Sequence, residues 1–246
     1  MNLWTRKFIL SLLSIIIIWG VSGCMSKKPN PEAIKEQMLS HLEEKYGEEF
    51  VPISLSLSDW AYSYDRLQAY PKQGSEQDHF EVWGTKMEDG SYRISDGYFG
   101  ILIKPQYEAA LSNIVRGTYD EFKLYVDFGE GVLPDRLKKD TKVEQIYSED
   151  ENFSSDTVIF VKQSLVKDQD IEVGLRQIAG KMREQQMVGF VRMYVVADER
   201  YDSIGSGPQN LSALQDEGYF VGDYKSVMVT PDMTIRQNGE EVVTDG

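Results

Sequence analysis

The sequence predicts an α+β protein: helices packed on mainly antiparallel sheets, in two small units. Three observations carry this. Apolar residues recur at helical spacing over Ile34, Met38, Leu42 and Tyr46, and again over Ile171, Leu175, Ile178 and Met182, as on a helix with one buried face. Strict alternation over Val51, Ile53, Leu55 and Leu57, and over Phe122, Leu124, Val126 and Phe128, is the period of half-buried strands. Glu88-Asp89-Gly90 and Asn238-Gly239 are turn sequences that fold a strand back beside its neighbour.

In chain order, Pro31 to Tyr46 is expected as a helix, with Pro at its start and Gly47 as its stop. Phe50 to Leu57 follows as a strand, and Pro52, which cannot donate to a ladder, either confines it to a sheet edge or makes Ile53 its effective start. Phe80 to Met87 and Ser91 to Ile94 form a hairpin, Tyr98 to Ile103 a further strand, and Lys104-Pro105 opens a helix through Val115 that Gly117 closes. The boundary between the units is placed at Arg116 to Thr118, giving units over 32–117 and 118–246.

The second unit begins with the alternating strand after Tyr119. A short helix is expected around Pro134 to Lys139, then an acidic loop, Ser148 to Asn152, and a strand over Thr157 to Gln163. Asp168 or Asp170 caps the next helix, since a short carboxylate accepts from the unpaired first amides. Val188 to Ala197 is apolar on both sides, Val191, Met193 and Val195 against Phe190, Tyr194 and Val196, which places it centrally in a sheet. A Gly-rich loop over Ser203 to Pro208, a short helix capped by Asn210 and ended by Gly218, a strand over Tyr224 to Thr230 and a hairpin across Asn238-Gly239 complete the order.

The N-terminal segment is of a different kind. Arg6 and Lys7 precede an apolar run, Phe8 to Val21, which is closed by Ser22, Gly23 and Cys24. The run has the length of a signal-peptide core and is short for a membrane span, which needs about 20 apolar residues. Val21-Ser22-Gly23-Cys24 resembles the lipobox of bacterial lipoproteins, with Val where Leu is commonest. That resemblance implies a signal peptide over 1–23, diacylglycerol on the Cys24 thiol and a tether over 24–31 that anchors the chain to the membrane outside the cytoplasm. Cys24 is the single cysteine of the 246 residues, so a lipidated chain has no disulfide and no free thiol, and its stability comes from its core. Two acyl chains hold a protein durably where one is marginal.

The chain carries a net charge of −14, and removal of residues 1–23 leaves 24 basic against 40 acidic residues, a net −16. A polyphosphate partner needs clustered Lys and Arg that displace counterions, and no stretch supplies them; nucleic acid is excluded as a partner. The acidic balance is read as solvated surface, with a divalent-cation role as the sharper alternative.

No catalytic pattern is complete in the sequence. His41 and His79 are the two histidines, and neither has a metal-ligand spacing. No Gly-x-Ser-x-Gly elbow is present, which leaves a Ser-His-Asp triad without its usual signature. Ser164-Leu165-Val166-Lys167 matches Ser-x-x-Lys, but the companion triplet Ser95-Asp96-Gly97 comes before it and Lys-Thr-Gly is absent. Asp168, Asp170 and Glu172 alternate like a calcium loop, yet Val173 stands where glycine is needed and Ala179 where the bidentate acid is needed. Gly205-Ser206-Gly207 lacks the lysine of a phosphate cradle. No metal, cofactor or catalytic residue is assigned.

Residues 60–99 hold nine aromatics, about twice the density of the whole chain. Aromatics are ordinary strand formers, so the first expectation is a sheet core poor in aliphatics. The second is that Trp60, Tyr62 and Tyr64, on one face if extended, bind a partner or stack on sugar rings.

The run Leu42 to Phe50, with Ala69-Tyr70-Pro71 and Ser95-Asp96-Gly97-Tyr98-Phe99-Gly100 downstream, resembles small uncharacterised lipoproteins of Gram-positive bacteria over residues 32–116. The resemblance supports the envelope address and implies no activity. The reading is therefore a lipid-anchored, extracytoplasmic, non-enzymatic interaction or accessory module whose partner is an envelope protein or cell-wall component. The alternative is an envelope hydrolase that cleaves wall glycan or peptide through carboxylates, which requires a cleft with two acids about 5 to 10 Å apart.

Overall fold

The computed structural model describes residues 30–129, 131–149, 153–166, 170–205 and 209–242. The lipobox with Cys24, and Asp168 as an alternative cap, lie outside the described residues. The architecture is α+β, with a four-stranded and a six-stranded sheet.

The smaller sheet is a meander, β1 (Phe50–Ser56), β2 (Tyr64–Pro71), β3 (Phe80–Lys86) and β4 (Tyr92–Asp96), antiparallel throughout. β1 is an edge strand, as Pro52 requires, and its pairing shifts at a bulge between Pro52 and Ser54. Helix α1 (Pro31–Tyr46) covers one face. Asn30 caps it by accepting from the Glu32 amide, and Gly47 ends it with a left-handed backbone, φ 70°, a conformation that costs glycine little. Met38, Leu42 and Tyr46 of its stripe are buried against Phe50, Leu67, Val82, Ile94 and Tyr98.

The larger sheet has the order β10-β9-β8-β7-β6-β5: β5 (Lys123–Asp127), β6 (Asp156–Lys162), β7 (Gly189–Val196), β8 (Lys225–Val229), β9 (Ile235–Gln237) and β10 (Glu240–Glu241). Its pairs are antiparallel except β6 with β7, which are parallel. The crossover between those two contains α3 (Gln163–Val166) and α4 (Ile171–Glu184), as a parallel connection demands. The Asp170 side chain caps α4. The doubly apolar β7 lies inside the sheet: Val191 and Met193 join the core beneath α2 (Tyr98–Arg116) and α4, while Tyr194 and Val196 join a second cluster with Phe160, Tyr201 and Ile204. The segment carrying α5 (Asp198–Tyr201) and α6 (Leu211–Asp216) lends Tyr201, Ile204, Leu211 and Leu214 to that cluster.

Two expectations are corrected. Tyr98 to Ile103 is not a strand but the first turns of α2, which continues through Pro105 to Arg116. Tyr98, Phe99, Ile103, Tyr107, Leu111 and Ile114 are buried along it, a helical stripe whose burial outweighs the amide that Pro105 lacks. Pro134 to Lys139 forms turns rather than a helix. The Arg136 guanidinium donates to the carbonyls of Gln145 and Ile146, and Leu137 is buried in the larger core. The stretch is held by side-chain anchors instead of a ladder.

The apolar face of α2 belongs chiefly to the larger core, although the sequence order groups this helix with the smaller sheet. Tyr98, at its start, stays in the smaller core. The units meet where Leu133 N–H donates to the Asp96 carbonyl at 2.9 Å.

Candidate interaction surface

The face of the smaller sheet turned away from α1 carries Ser54 and Ser56 on β1, Tyr64, Arg66, Gln68 and Tyr70 on β2, Glu81, Trp83 and Thr85 on β3, and Arg93 and Ser95 on β4, by strand alternation and register. Tyr64 and Trp83 are diagonal neighbours on it, their rings stacked at 4.4 Å and 23°. The indole N–H of Trp83 donates to Glu81 Oε2 at 2.7 Å, and Arg66 lies 3.4 Å from Glu81 Oε1. Ser54 Oγ donates to Gln68 Oε1 at 3.1 Å. Arg93 is paired with Asp135 at 2.8 Å. The face thus combines an aromatic stack with polar groups whose charges are locally offset, on a chain that is strongly acidic.

The three residues singled out in the sequence are not on one extended run. Residues 57–63 form the loop between β1 and β2. Asp59 pins its tip: its Oδ1 accepts from the amides of Ala61 and Tyr62, and its own amide donates to the Tyr62 carbonyl. Trp60, at that tip, is 98% exposed, and Tyr62 is 55% exposed. Tyr62 meets Tyr64 edge to face at 5.7 Å. Trp60, Tyr62 and Tyr64 therefore form a strip from the loop tip onto the sheet, which Trp83 extends.

The loop is also anchored from below. Asp65 is buried and accepts from the Ser58 amide and the Tyr92 hydroxyl, each at 2.7 Å. Burial, then the bond to Asp65, raises the Tyr92 pKa above that of a free phenol. The phenol reaches Asp65 because Gly84, opposite Asp65 in register, has no side chain: a Cβ there would lie 1.9 Å from the Tyr92 hydroxyl oxygen. Of the other aromatics in this stretch, Phe80, Tyr98 and Phe99 are buried in the cores, and Tyr70, Trp83 and Tyr92 are half-buried.

Trp83 lies on the expected strand from Phe80, but its stacking on Tyr64 and its polar neighbours on β2 were not legible, because β2 itself was not expected. Its alternation is present, Leu67 and Ala69 against Arg66 and Gln68, but the core-facing series begins with Asp65, which breaks the apolar pattern.

A cleft of about 450 Å³ lies beside this face at the junction of the units, lined among others by Asp78, His79, Glu81, Lys104 and Asp127. Its carboxylates serve the fold: Asp78 accepts from Ser75, Glu81 from Trp83 and Arg66, and Asp127 from the Gly129 amide. His79 is exposed and its Nδ1 lies 3.0 Å from the Glu76 carbonyl. Ser164 donates through its amide and hydroxyl to Asp198, contacts that cap the helical turn after β6. Among the described residues, no group of three or more His, Cys, Asp or Glu side chains is placed to hold a metal ion.

No family model matches the chain, and no curated protein matches it. Among solved structures, the crystal structure of a DUF5037 family protein from Ruminococcus gnavus ATCC 29149 is similar to 80% of this chain over 91% of its own, at 16% identity and a TM-score of 0.40. That distant likeness assigns no activity.

Proposed function

We propose that this chain is a lipid-anchored protein of the extracytoplasmic face of the cell membrane, a non-enzymatic interaction module that engages an envelope protein or cell-wall component. The observation that carries the engagement is the aromatic strip. Burying a large apolar side chain gains a folding chain about 1.5–3 kcal/mol, yet Trp60 stands almost wholly in water on a loop held by Asp59 and Asp65. Tyr62, Tyr64 and Trp83 continue from it onto the sheet as a run of ring contacts, and a contiguous exposed aromatic patch of this kind marks a contact outside the fold. The address is supported by Val21-Ser22-Gly23-Cys24 after its apolar run. Binding is preferred to hydrolysis because the carboxylates of the neighbouring cleft are engaged in local hydrogen bonds.

The test is crosslinking in intact cells, with identification of what co-purifies, for the native chain and for a variant with alanine at Trp60, Tyr62 and Tyr64. Capture of one envelope component by the native chain and its loss with the folded variant supports the reading. Equal capture by both removes the strip as the binding surface. Mass spectrometry of the native chain should show a diacylglyceryl group on an N-terminal Cys24, absent from Cys24→Ser, and an unmodified Cys24 in the native chain contradicts the lipid anchor.

A further inference from the structure

The start of α1 and the exposed tryptophan lie at the same end of the molecule. Helix α1 and strand β1 are joined by a tight turn and run back along each other, with lengths of about 24 and 23 Å for 16 and 7 residues. At the turn end, Tyr46 packs on Phe50 and Tyr98. Toward the other end, Met38 lies against Gly84, which is opposite Asp65 near the start of β2. A further seven residues of helix, about 10 Å, carry Pro31 to the level of the β1–β2 loop. Asn30, Trp60, Tyr62 and the exposed Met87 beside the β3–β4 turn therefore share one end.

We infer that this end faces the bilayer and that Trp60, with Tyr62 beside it, seats in the membrane interface as a second attachment. This rests on the lipid-anchor reading above. Six residues, Met25 to Asn30, separate Cys24 from α1, a reach of at most about 20 Å, so the end that carries Asn30 is held against the headgroups. Indole and phenol rings favour that layer because one part of each ring is apolar and one part donates a hydrogen bond. The strip is then divided: Trp60 turns to lipid, and the Tyr64–Trp83 stack stays on the sheet face for a partner.

Charge sets the hierarchy of the two attachments. Asp59, Glu88 and Asp89 at this end are matched in number by Lys86 and by Lys27 and Lys28 ahead of α1, and the chain as a whole is acidic, so the tip has no excess of positive charge with which to recruit the protein to anionic lipid by itself. Once the acyl chains hold it at the surface, its local concentration is high enough for one indole to matter. The consequence is a fixed orientation: the sheet face stands upright on the membrane rather than tumbling on its tether.

Tryptophan fluorescence tests this directly. Trp4 and Trp19 precede Cys24, so the processed chain keeps Trp60 and Trp83. The full chain, processed in a bacterium and reconstituted into phosphatidylcholine and phosphatidylglycerol vesicles, is compared on brominated and plain lipid. Trp83→Phe leaves Trp60 as the reporter, Trp60→Phe leaves Trp83, and the denaturation curve of each variant checks its fold. The expected result is a roughly twofold or larger quenching and a blue shift for Trp60 on brominated lipid, with Trp83 little changed. Unquenched Trp60 on a chain whose mass shows the diacylglyceryl group overturns the orientation and leaves the anchor standing. Equal quenching of both tryptophans overturns it as well, since the face then lies flat. An unmodified Cys24 by mass overturns the anchor and this inference together.

Discussion

Tyr46 donates its phenolic hydrogen to Asp96 Oδ1 at 2.7 Å, joining the last turn of α1 to the last residue of β4. Lys45 Nζ lies 2.8 Å from the other oxygen of Asp96, and the Tyr98 amide donates to Oδ1 at 3.0 Å. With its carbonyl accepting from Leu133, this buried aspartate links helix, sheet and the second unit.

Asp96→Asn should therefore be costly. It keeps an acceptor for Tyr46 and Tyr98 but leaves the shielded ammonium of Lys45 without its anion. Removing one partner of a buried pair costs about 3–5 kcal/mol. Urea unfolding measures it, and a double variant with Lys45→Met should recover part of the loss. A change below about 1 kcal/mol would mean that Lys45 finds water instead.

Several phenols set an alkaline limit. Burial raises Tyr107, Tyr119 and Tyr201 to about 12, with Asp170 adding to the effect at Tyr119 and Glu121 at Tyr201. Burial and then Asp96 raise Tyr46. Unfolded tyrosines ionise near pH 10, so between that pH and the folded value the native state binds more protons. Stability is fully present below pH about 10 and falls as pH rises toward 12. Urea midpoints measured near neutral pH and at pH about 11 should show the fall; equal midpoints refute it.

Gly97 is a test of the junction. A Cβ there would stand 2.6 Å from the carbonyl oxygen of Gly131, whereas a Cβ at Gly131 would meet nothing within 4 Å. Gly97→Ala should destabilise by about 1–3 kcal/mol because backbone must move, and Gly131→Ala should be near neutral. Similar values for the two in thermal unfolding would show that the contact is easily relieved.

The Tyr64–Trp83 stack separates binding from folding. Alanine at both positions should cost about 1–2 kcal/mol in stability and abolish crosslinking to the partner at the cell surface. Retained capture would place the partner elsewhere.

Much of the fold was legible because single periods are read locally. The stripes of α1 and α4, the alternation of β1 and β5, and the doubly apolar β7 are such periods, and Gly47 and Asp170 stand where one helix needs its stop and the other an acceptor. The continuous apolar run from Tyr98 to Ile103 was not legible, because six such residues suit a strand and a helix equally. β2 was hidden by a polar residue on its core face, and Asp65 is tolerated there because Ser58 and Tyr92 satisfy it.

By itself the sequence determined the α+β class, the acidic composition, and a single cysteine in a pattern that resembles a lipobox, all properties of local order and composition. Tertiary structure decided that Trp60 leaves the sheet for a loop tip, that Trp83 joins Tyr64, and that this tip lies at the end where α1 begins. Those relations depend on register and on the direction in which a helix runs back along a strand. No local period encodes them, because they are fixed only when the two elements bury their apolar faces against each other.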